Sequence, residues 1–261
     1  MSRIGVAATA PFGADVFERL AARHPIAFLL TRPDARAGRG RKVAAPPAKG
    51  VAGRLGVHVL QPERPEIDDA DVMVVAAYGL LIPETLLERA LWLNVHPSLL
   101  PRWRGAAPVE RAILAGDEET GVTIHRTTKE LDAGPIAAQE AFDVAPEDDA
   151  GAVYVRSAEV AARLLDEVLP NPTFREQPAD GVTYAEKLTA ADRELDLTRP
   201  DDALRRIRAL SPHIGARAVV DGRPLIVWKA RRADDGALEL LEVQPEGRTR
   251  MTYDEYLRGL R

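Results

Sequence analysis

The chain has 261 residues, a net charge of −5, 46% hydrophobic and 29% charged side chains, and no cysteine. That balance supports a packed core, of one large domain plus a small one or of two modest domains, and it confines any nucleic-acid contact to a local basic patch. The missing thiol excludes disulfide frameworks, cysteine nucleophiles and thiolate metal sites and points to the cytoplasm, and neither a signal peptide nor a membrane-spanning run is expected.

In chain order, Ile4 to Ala8 reads as a strand, Phe12 to Ala22 as a helix with an apolar stripe, and Ile26 to Leu30 as a strand. Lys42 to Leu55 reads as partly helical and Val57 to Leu60 as a short strand. Val72 to Ala77 is apolar at every position, the pattern of a central parallel strand covered on both faces. Leu91 to Val95 is another strand, and a helix begins at Pro108, where proline suits the first turn. Val122 to His125 and Ile136 to Val144 are later strands, and Asp149 to Leu169 is a long helix with Asp149 as its cap. Alternation of this kind predicts an α/β fold: a Rossmann-like, mostly parallel sheet with helices on both faces.

Leu169 to Tyr184 is rich in proline and polar residues and reads as a linker. Beyond it lie a helix near Asp201 to Leu210 and three strand-like runs, Ala216 to Val220, Pro224 to Ala230 and Ala237 to Val243. The first two flank the turn Asp221-Gly222. The expected organisation is an α/β domain over 1–170, a linker over 171–185 and a small β-rich domain over 186–261.

Chemistry concentrates in Leu93 to Gly105, LNVHPSLLPRWRG. Asn94 and His96 stand two apart at a strand end, so their side chains leave the same face, and strand ends of this type line ligand crevices. An amide donor beside an imidazole can hold a developing oxyanion. Spacing alone leaves a packed strand-end histidine as the competing reading. Downstream, Leu131-Asp132-Ala133-Gly134-Pro135 is a turn former by composition, although a carboxylate near His96 would favour its charged form. A serine hydrolase is disfavoured because Ser98 sits in no G-x-S-x-G elbow. Metal and dinucleotide sites are disfavoured because H-E-x-x-H and G-x-G-x-x-G are absent.

Residues 31–50 carry Arg32, Arg36, Arg39, Arg41, Lys42 and Lys49 against one acid, Asp34, in a chain whose total is negative. Glycines and prolines punctuate this stretch, which reads as a flexible surface loop, either a solvated charge cluster or a phosphate-contacting loop for nucleic acid.

NVHPSLLPRWRGAAPVERAILAGDEETGVTIHRTTKELDAGPI (Asn94 to Ile136) resembles the signature region of methionyl-tRNA formyltransferases, within the folate-dependent formyltransferases. Asp71 to Pro83, the basic Thr31 to Lys42, TYAEKL (Thr183 to Leu188) and QPEGRTRM (Gln244 to Met251) resemble the same family in the same order. The Asn-x-His, Ser-Leu-Leu-Pro and Leu-Asp-x-Gly signature belongs to the chemistry and is shared by enzymes with other acceptors. The basic loop and TYAEKL carry the likeness to the tRNA-directed members. Two departures stand out. The family's phenylalanine-x-glycine-threonine-proline is Val6-Ala7-Ala8-Thr9-Ala10 here, and the chain between Arg232 and Leu238 is too short for the extra strands of the family.

The resemblance implies a catalytic trio of Asn94, His96 and Asp132, folate contacts by Ser98, Leu99, Leu100 and Pro101, and tRNA contacts by Arg36, Arg39, Arg41 and Lys42. It implies 10-formyltetrahydrofolate as cosubstrate with no metal, charged initiator tRNA as acceptor, no membrane partner and a cytoplasmic monomer. The first domain would be catalytic and the last an abbreviated OB-like barrel. Chemically, Asn94 and a protonated His96 would steady the formyl oxygen while Asp132 supports the imidazolium and proton removal from the attacking amine. Two rival readings are a formyltransferase acting on a small amine such as an amino-sugar nucleotide, and a non-catalytic RNA-binding module.

Overall fold

The computed structural model describes residues 2–37 and 42–260. In chain order its elements are β1 (Ile4–Ala8), α1 (Pro11–Ala21), β2 (Ile26–Leu30), β3 (Ala35–Ala37), β4 (Lys42–Ala44), α2 (Pro47–Leu55), β5 (His58–Leu60), β6 (Val72–Ala76), α3 (Glu84–Leu87), β7 (Leu91–His96), β8 (Arg104–Gly105), α4 (Pro108–Ala115), β9 (Glu119–Arg126), β10 (Ile136–Asp143) and α5 (Ala150–Val168). Then follow β11 (Tyr184–Ala185), a 3₁₀ turn (Ala191–Arg193), α6 (Pro200–Leu210), β12 (Ala216–Val220), β13 (Arg223–Arg232), β14 (Leu238–Pro245), β15 (Met251–Thr252) and α7 (Tyr253–Arg258). Two compact units result: residues 1–104, 121–141 and 155–183, and residues 105–120, 142–154 and 184–261.

The first unit is built on a seven-stranded sheet in the order β10-β9-β7-β6-β1-β2-β5. Strands β1, β2, β5, β6 and β7 run parallel, and β9 is antiparallel to β7. β1 and β6 are buried at every residue, as strands covered on both faces must be. Strand order reverses at β1, with β2 on one side and β6 on the other, and in such sheets the carboxyl ends beside the reversal form the ligand crevice. Glycine permits the close packing there. A Cβ on Gly5 would lie 2.4 Å from Met73 Sδ, and one on Gly13 would lie 2.1 Å from the Ala76 carbonyl, so α1 seats its first turn on the end of β6. Ala8, which stands where the family pattern has glycine, ends β1 paired with Ala76 and fully buried, an extended position that alanine takes without strain.

The proline-rich stretch read as a linker is bound into this first unit over 171–183. Arg175 and Ile136 exchange backbone hydrogen bonds of 2.7 and 2.9 Å, and the Thr183 N–H donates to the Pro101 carbonyl at 3.3 Å. Its prolines remove N–H donors, and the stretch is tied down through the backbone groups of Arg175 and Thr183 rather than by a ladder of its own.

In the second unit, β12 to β15 form a four-stranded antiparallel sheet in sequential order. Its core is Ile207 and Leu210 of α6 against Leu225, Val227, Leu240 and Val243 of the sheet. A second cluster gathers Val109 and Ile113 of α4 with Val144, Ala150, Val153 and Ala209. Asp149 Oδ1 accepts the Ala152 N–H at 2.9 Å, the expected cap of α5. Trp228 is 9% exposed; it donates its indole N–H to Gln244 and lies under the Arg250 guanidinium.

Candidate active site

Strand periodicity sends Asn94 and His96 to one side of β7, and the antiparallel neighbour β9 sets His125 directly opposite Asn94. The loop after β9 then returns Asp132 to the same place. Asn94 Nδ2 donates to Asp132 Oδ1 at 3.1 Å and lies 3.1 Å from His125 Nε2. His96 Nδ1 is 3.7 Å from Asp132 Oδ2, and His125 Nε2 is 3.6 Å from Asp132 Oδ1. The three residues singled out from sequence converge, and a fourth, His125, joins them. Periodicity offered a signal for it, since His125 lies on a strand, but only the β7–β9 register shows that it faces Asn94.

Hydrogen-bond logic assigns the ring protons. His96 Nε2 lies 2.8 Å from the Trp103 carbonyl, and His125 Nδ1 lies 3.0 Å from the Arg126 carbonyl. Carbonyls only accept, so these two nitrogens carry hydrogen. His125 Nε2 is then a lone pair that accepts from Asn94, which fixes the Asn94 carboxamide with its nitrogen toward both partners. His96 Nδ1 is likewise an open lone pair, facing the Asp132 carboxylate.

His96 is 4% exposed, and burial pushes its pKa below the ordinary imidazole value. The Asp132 charge and the Trp103 carbonyl oppose that shift, while His125 adds to it. Desolvation outweighs the nearby carboxylate, which is beyond hydrogen-bond length, so the shift runs against the protonated ring expected from sequence.

Asp132 has φ +48, a left-handed conformation that aspartate tolerates better than most residues. Two residues on, Gly134 packs so tightly that a Cβ would lie 1.9 Å from the Arg126 carbonyl. Trp103 is half-buried with φ +65; its carbonyl serves His96 and its ring lies under the Arg102 guanidinium.

The segment assigned to folate contact is bound largely to its own unit. Ser98 is fully buried, and its hydroxyl donates to the Arg102 carbonyl at 2.7 Å. The Thr123 hydroxyl ties the loop to β9, donating to the Ser98 carbonyl at 2.7 Å and accepting the Leu100 N–H at 3.1 Å. Leu100 is 2% exposed and gives its carbonyl to Gln139, whereas Leu99 and Pro101 are partly exposed.

Of the residues assigned to tRNA, Arg36 is exposed, Lys42 begins β4, and Arg39 and Arg41 lie outside the described residues. The stretch read as a flexible loop contains an antiparallel pair, Ala35–Ala37 with Lys42–Ala44. Lys49 is held by Asp34 at 2.8 Å, so one of the six cations is neutralised locally.

A family model described as Formyl transferase matches residues 4–169, the stretch that carries all of these groups, and it sets the class. The methionyl-tRNA formyltransferase of Paracoccus denitrificans is 39% identical over 285 residues, covering 97% of this chain and 95% of its own. That of Halorhodospira halophila is 40% identical over 301 residues, covering 100% and 97%. The chain belongs to the methionyl-tRNA formyltransferase family. Among solved structures, HypX from Aquifex aeolicus in complex with tetrahydrofolic acid shares the fold at TM-score 0.71 and 18% identity, over 98% of this chain and 47% of that one. Methionyl-tRNA formyltransferase from Clostridium thermocellum does so at TM-score 0.68 and 14% identity, over 94% and 99%.

Proposed function

We propose that this site transfers the formyl group of 10-formyltetrahydrofolate to the α-amine of methionyl initiator tRNA, with Asn94, His96 and Asp132 as the catalytic groups. The observation that carries the reading is one cluster at the end of β7, in which the Asn94 amide donates to the Asp132 carboxylate and the buried His96 imidazole stands 3.7 Å from that carboxylate. That set fits a formyl carrier, because acyl transfer to an amine needs an acceptor for the amine proton and a donor for the carbonyl oxygen. When bound, the folate supplies the electrophilic formyl carbon.

Asp132 accepts one proton of the α-ammonium, leaving a nucleophilic amine, and the second proton passes to the open Nδ1 of His96 as the carbon–nitrogen bond forms. Protonation of Asp132 weakens its hold on Asn94 and frees one amide N–H, which turns to the formyl oxygen as negative charge develops there. His125 keeps the other N–H and so keeps the carboxamide oriented. A proton received by His96 leaves its two ring N–H groups facing the Trp103 carbonyl and an Asp132 oxygen; that proton passes to the folate nitrogen as its bond to the formyl carbon breaks, and Asp132 returns its own proton to solvent. The basic segment containing Arg36, Arg39, Arg41 and Lys42 contacts acceptor-stem phosphates. The protein acts as a cytoplasmic monomer.

The test is formyl transfer from 10-formyltetrahydrofolate to charged initiator tRNA, compared with charged elongator tRNA and with an amino-sugar nucleotide. Initiator tRNA is expected to be the preferred acceptor. Transfer to the amino-sugar nucleotide alone would replace this acceptor assignment, and folate binding without transfer to any amine would remove the enzymatic reading.

A further inference from the structure

Gln177 lies in the stretch whose composition suggested a mere connector. Its Nε2 donates to two main-chain carbonyls of the catalytic loop, Asp132 and Gly134, both at 2.8 Å. Its Oε1 accepts from Arg104 Nε at 3.1 Å and Nη2 at 2.6 Å. A carboxamide has two donor hydrogens and two acceptor sites, and here all four are engaged. The Arg104 bonds are charge-assisted, which makes this the stiff end of the arrangement.

Arg104 follows Trp103, whose carbonyl holds His96 Nε2 at 2.8 Å and whose N–H donates to Thr183 Oγ1 at 2.9 Å. One short path therefore runs from the His96 ring through the Trp103 carbonyl, the Arg104 guanidinium and the Gln177 carboxamide to the Asp132 backbone. Asp132 needs that support, because its φ of +48 is sustained only when the surroundings over-determine it. Both ends of the path bear on the same gap, the 3.7 Å between His96 Nδ1 and Asp132 Oδ2.

We infer that Gln177, clamped by Arg104, is a positioning residue that sets the distance between the His96 ring and the Asp132 carboxylate for formyl transfer. It acts through the Asp132 backbone and through Arg104. The inference rests on the catalytic assignment of Asp132 made above. Misplacement by about 1 Å can cost on the order of 10² in rate, so the role should be visible in kcat and not in substrate affinity.

The experiment compares Gln177→Ala, Gln177→Glu and Gln177→Asn with the wild-type enzyme and with Asp132→Ala, all as the full chain. Kinetics use 10-formyltetrahydrofolate and charged initiator tRNA, and circular dichroism melting monitors folding. Gln177→Ala is expected to lose about 10–10² in kcat, with KM for both substrates unchanged and the acid limb of its pH profile displaced. Gln177→Glu, which keeps the Arg104 clamp but sets a carboxylate against two carbonyls, should lose more. In the Asp132→Ala background, Gln177→Ala should cost nothing further.

A folded Gln177→Ala with wild-type kcat and pH profile overturns the inference. Should that variant not fold, Gln177→Asn decides: it keeps the chemistry one methylene short, and wild-type kcat in it is equally fatal. Asp132→Ala at wild-type rate would instead sink the catalytic assignment, whatever Gln177 does. Inactive Asp132→Ala beside fully active Gln177→Ala sinks the positioning role alone.

Discussion

Asn94 and His125 face each other across β7 and β9, with Nδ2 3.1 Å from Nε2, and this pairing decides which way the Asn94 amide points. Because the Arg126 carbonyl takes the hydrogen of His125 Nδ1 and Asn94 Nδ2 donates, Nε2 is the acceptor of this pair. His125→Met keeps comparable bulk but removes the strong acceptor. It should reduce kcat about 10-fold, the scale of one buried hydrogen bond, with KM for folate little changed. Steady-state kinetics on a variant with wild-type melting checks this, and an undiminished kcat would remove His125 from the account.

Asn94→Ala and Asp132→Ala delete the proposed oxygen donor and proton acceptor. Both should fold, since each truncates a side chain at a loop or strand end without a new clash. Transfer should fall by about 10²–10³ for Asn94→Ala, the usual cost of one lost oxyanion donor. Asp132→Ala should lose at least as much. Wild-type turnover in purified Asp132→Ala would refute its role.

Burial lowers the His96 pKa, so between the folded and unfolded values the folded chain binds fewer protons at this ring. Stability therefore rises with pH through that window, and this contribution is lost as pH falls below the ordinary imidazole value of about 6.5. His96→Asn should flatten the acid side of the stability profile. Denaturation midpoints measured from neutral to mildly acidic pH test this, and an acid slope identical in wild type and variant would contradict it. In the wild-type enzyme, the acid limb of kcat/KM that reports His96 should lie below the ordinary imidazole range.

Arg39→Ala should raise KM for charged tRNA and shallow its salt dependence while leaving the KM for 10-formyltetrahydrofolate as it was. Equal loss toward both substrates would make the basic segment structural.

Gly134→Ala places a methyl group 1.9 Å from the Arg126 carbonyl, and a backbone neighbour cannot step aside as a flexible side chain could. The expected cost is about 1–3 kcal/mol of stability, with loss of activity because Asp132 is two residues away. Thermal melting together with kcat tests both parts. A variant as stable and active as wild type would show the turn to be softer than its packing indicates.

Local pattern was enough for much of this fold. The fully apolar Val72–Ala76, the alternation that exposes Asn94 and His96 on one face, and the cap at Asp149 depend on neighbours a few residues apart, so the strands and helices of the sheet were legible from the chain. The C-terminal helix Tyr253–Arg258 carried a legible sign too, the capping box of Thr252 and Glu255, although no helix was expected there. The arginine-rich segment concealed a short antiparallel strand pair because its glycines and prolines read as punctuation.

Other features were fixed by packing across long separations. The proline-rich stretch offered a plausible boundary between domains, yet 171–183 joins the first unit through Arg175, Gln177 and Thr183. Residues 105–120 and 142–154 group with the second unit because Val109, Ile113, Val144 and Val153 bury their side chains against one another and Ala209. The sequence by itself singled out three side chains for the proposed chemistry, an amide, an imidazole and a carboxylate, through their place in a signature that resembles the family's. Tertiary structure alone decided their protonation and support, since the burial of His96, the β7–β9 register that brings in His125, and the reach of Gln177 to Asp132 all arise where distant loops meet at one end of a sheet. Hydrophobic periodicity encodes which face of an element is covered, but not which polar partner, 31 or 45 residues away, will be waiting there.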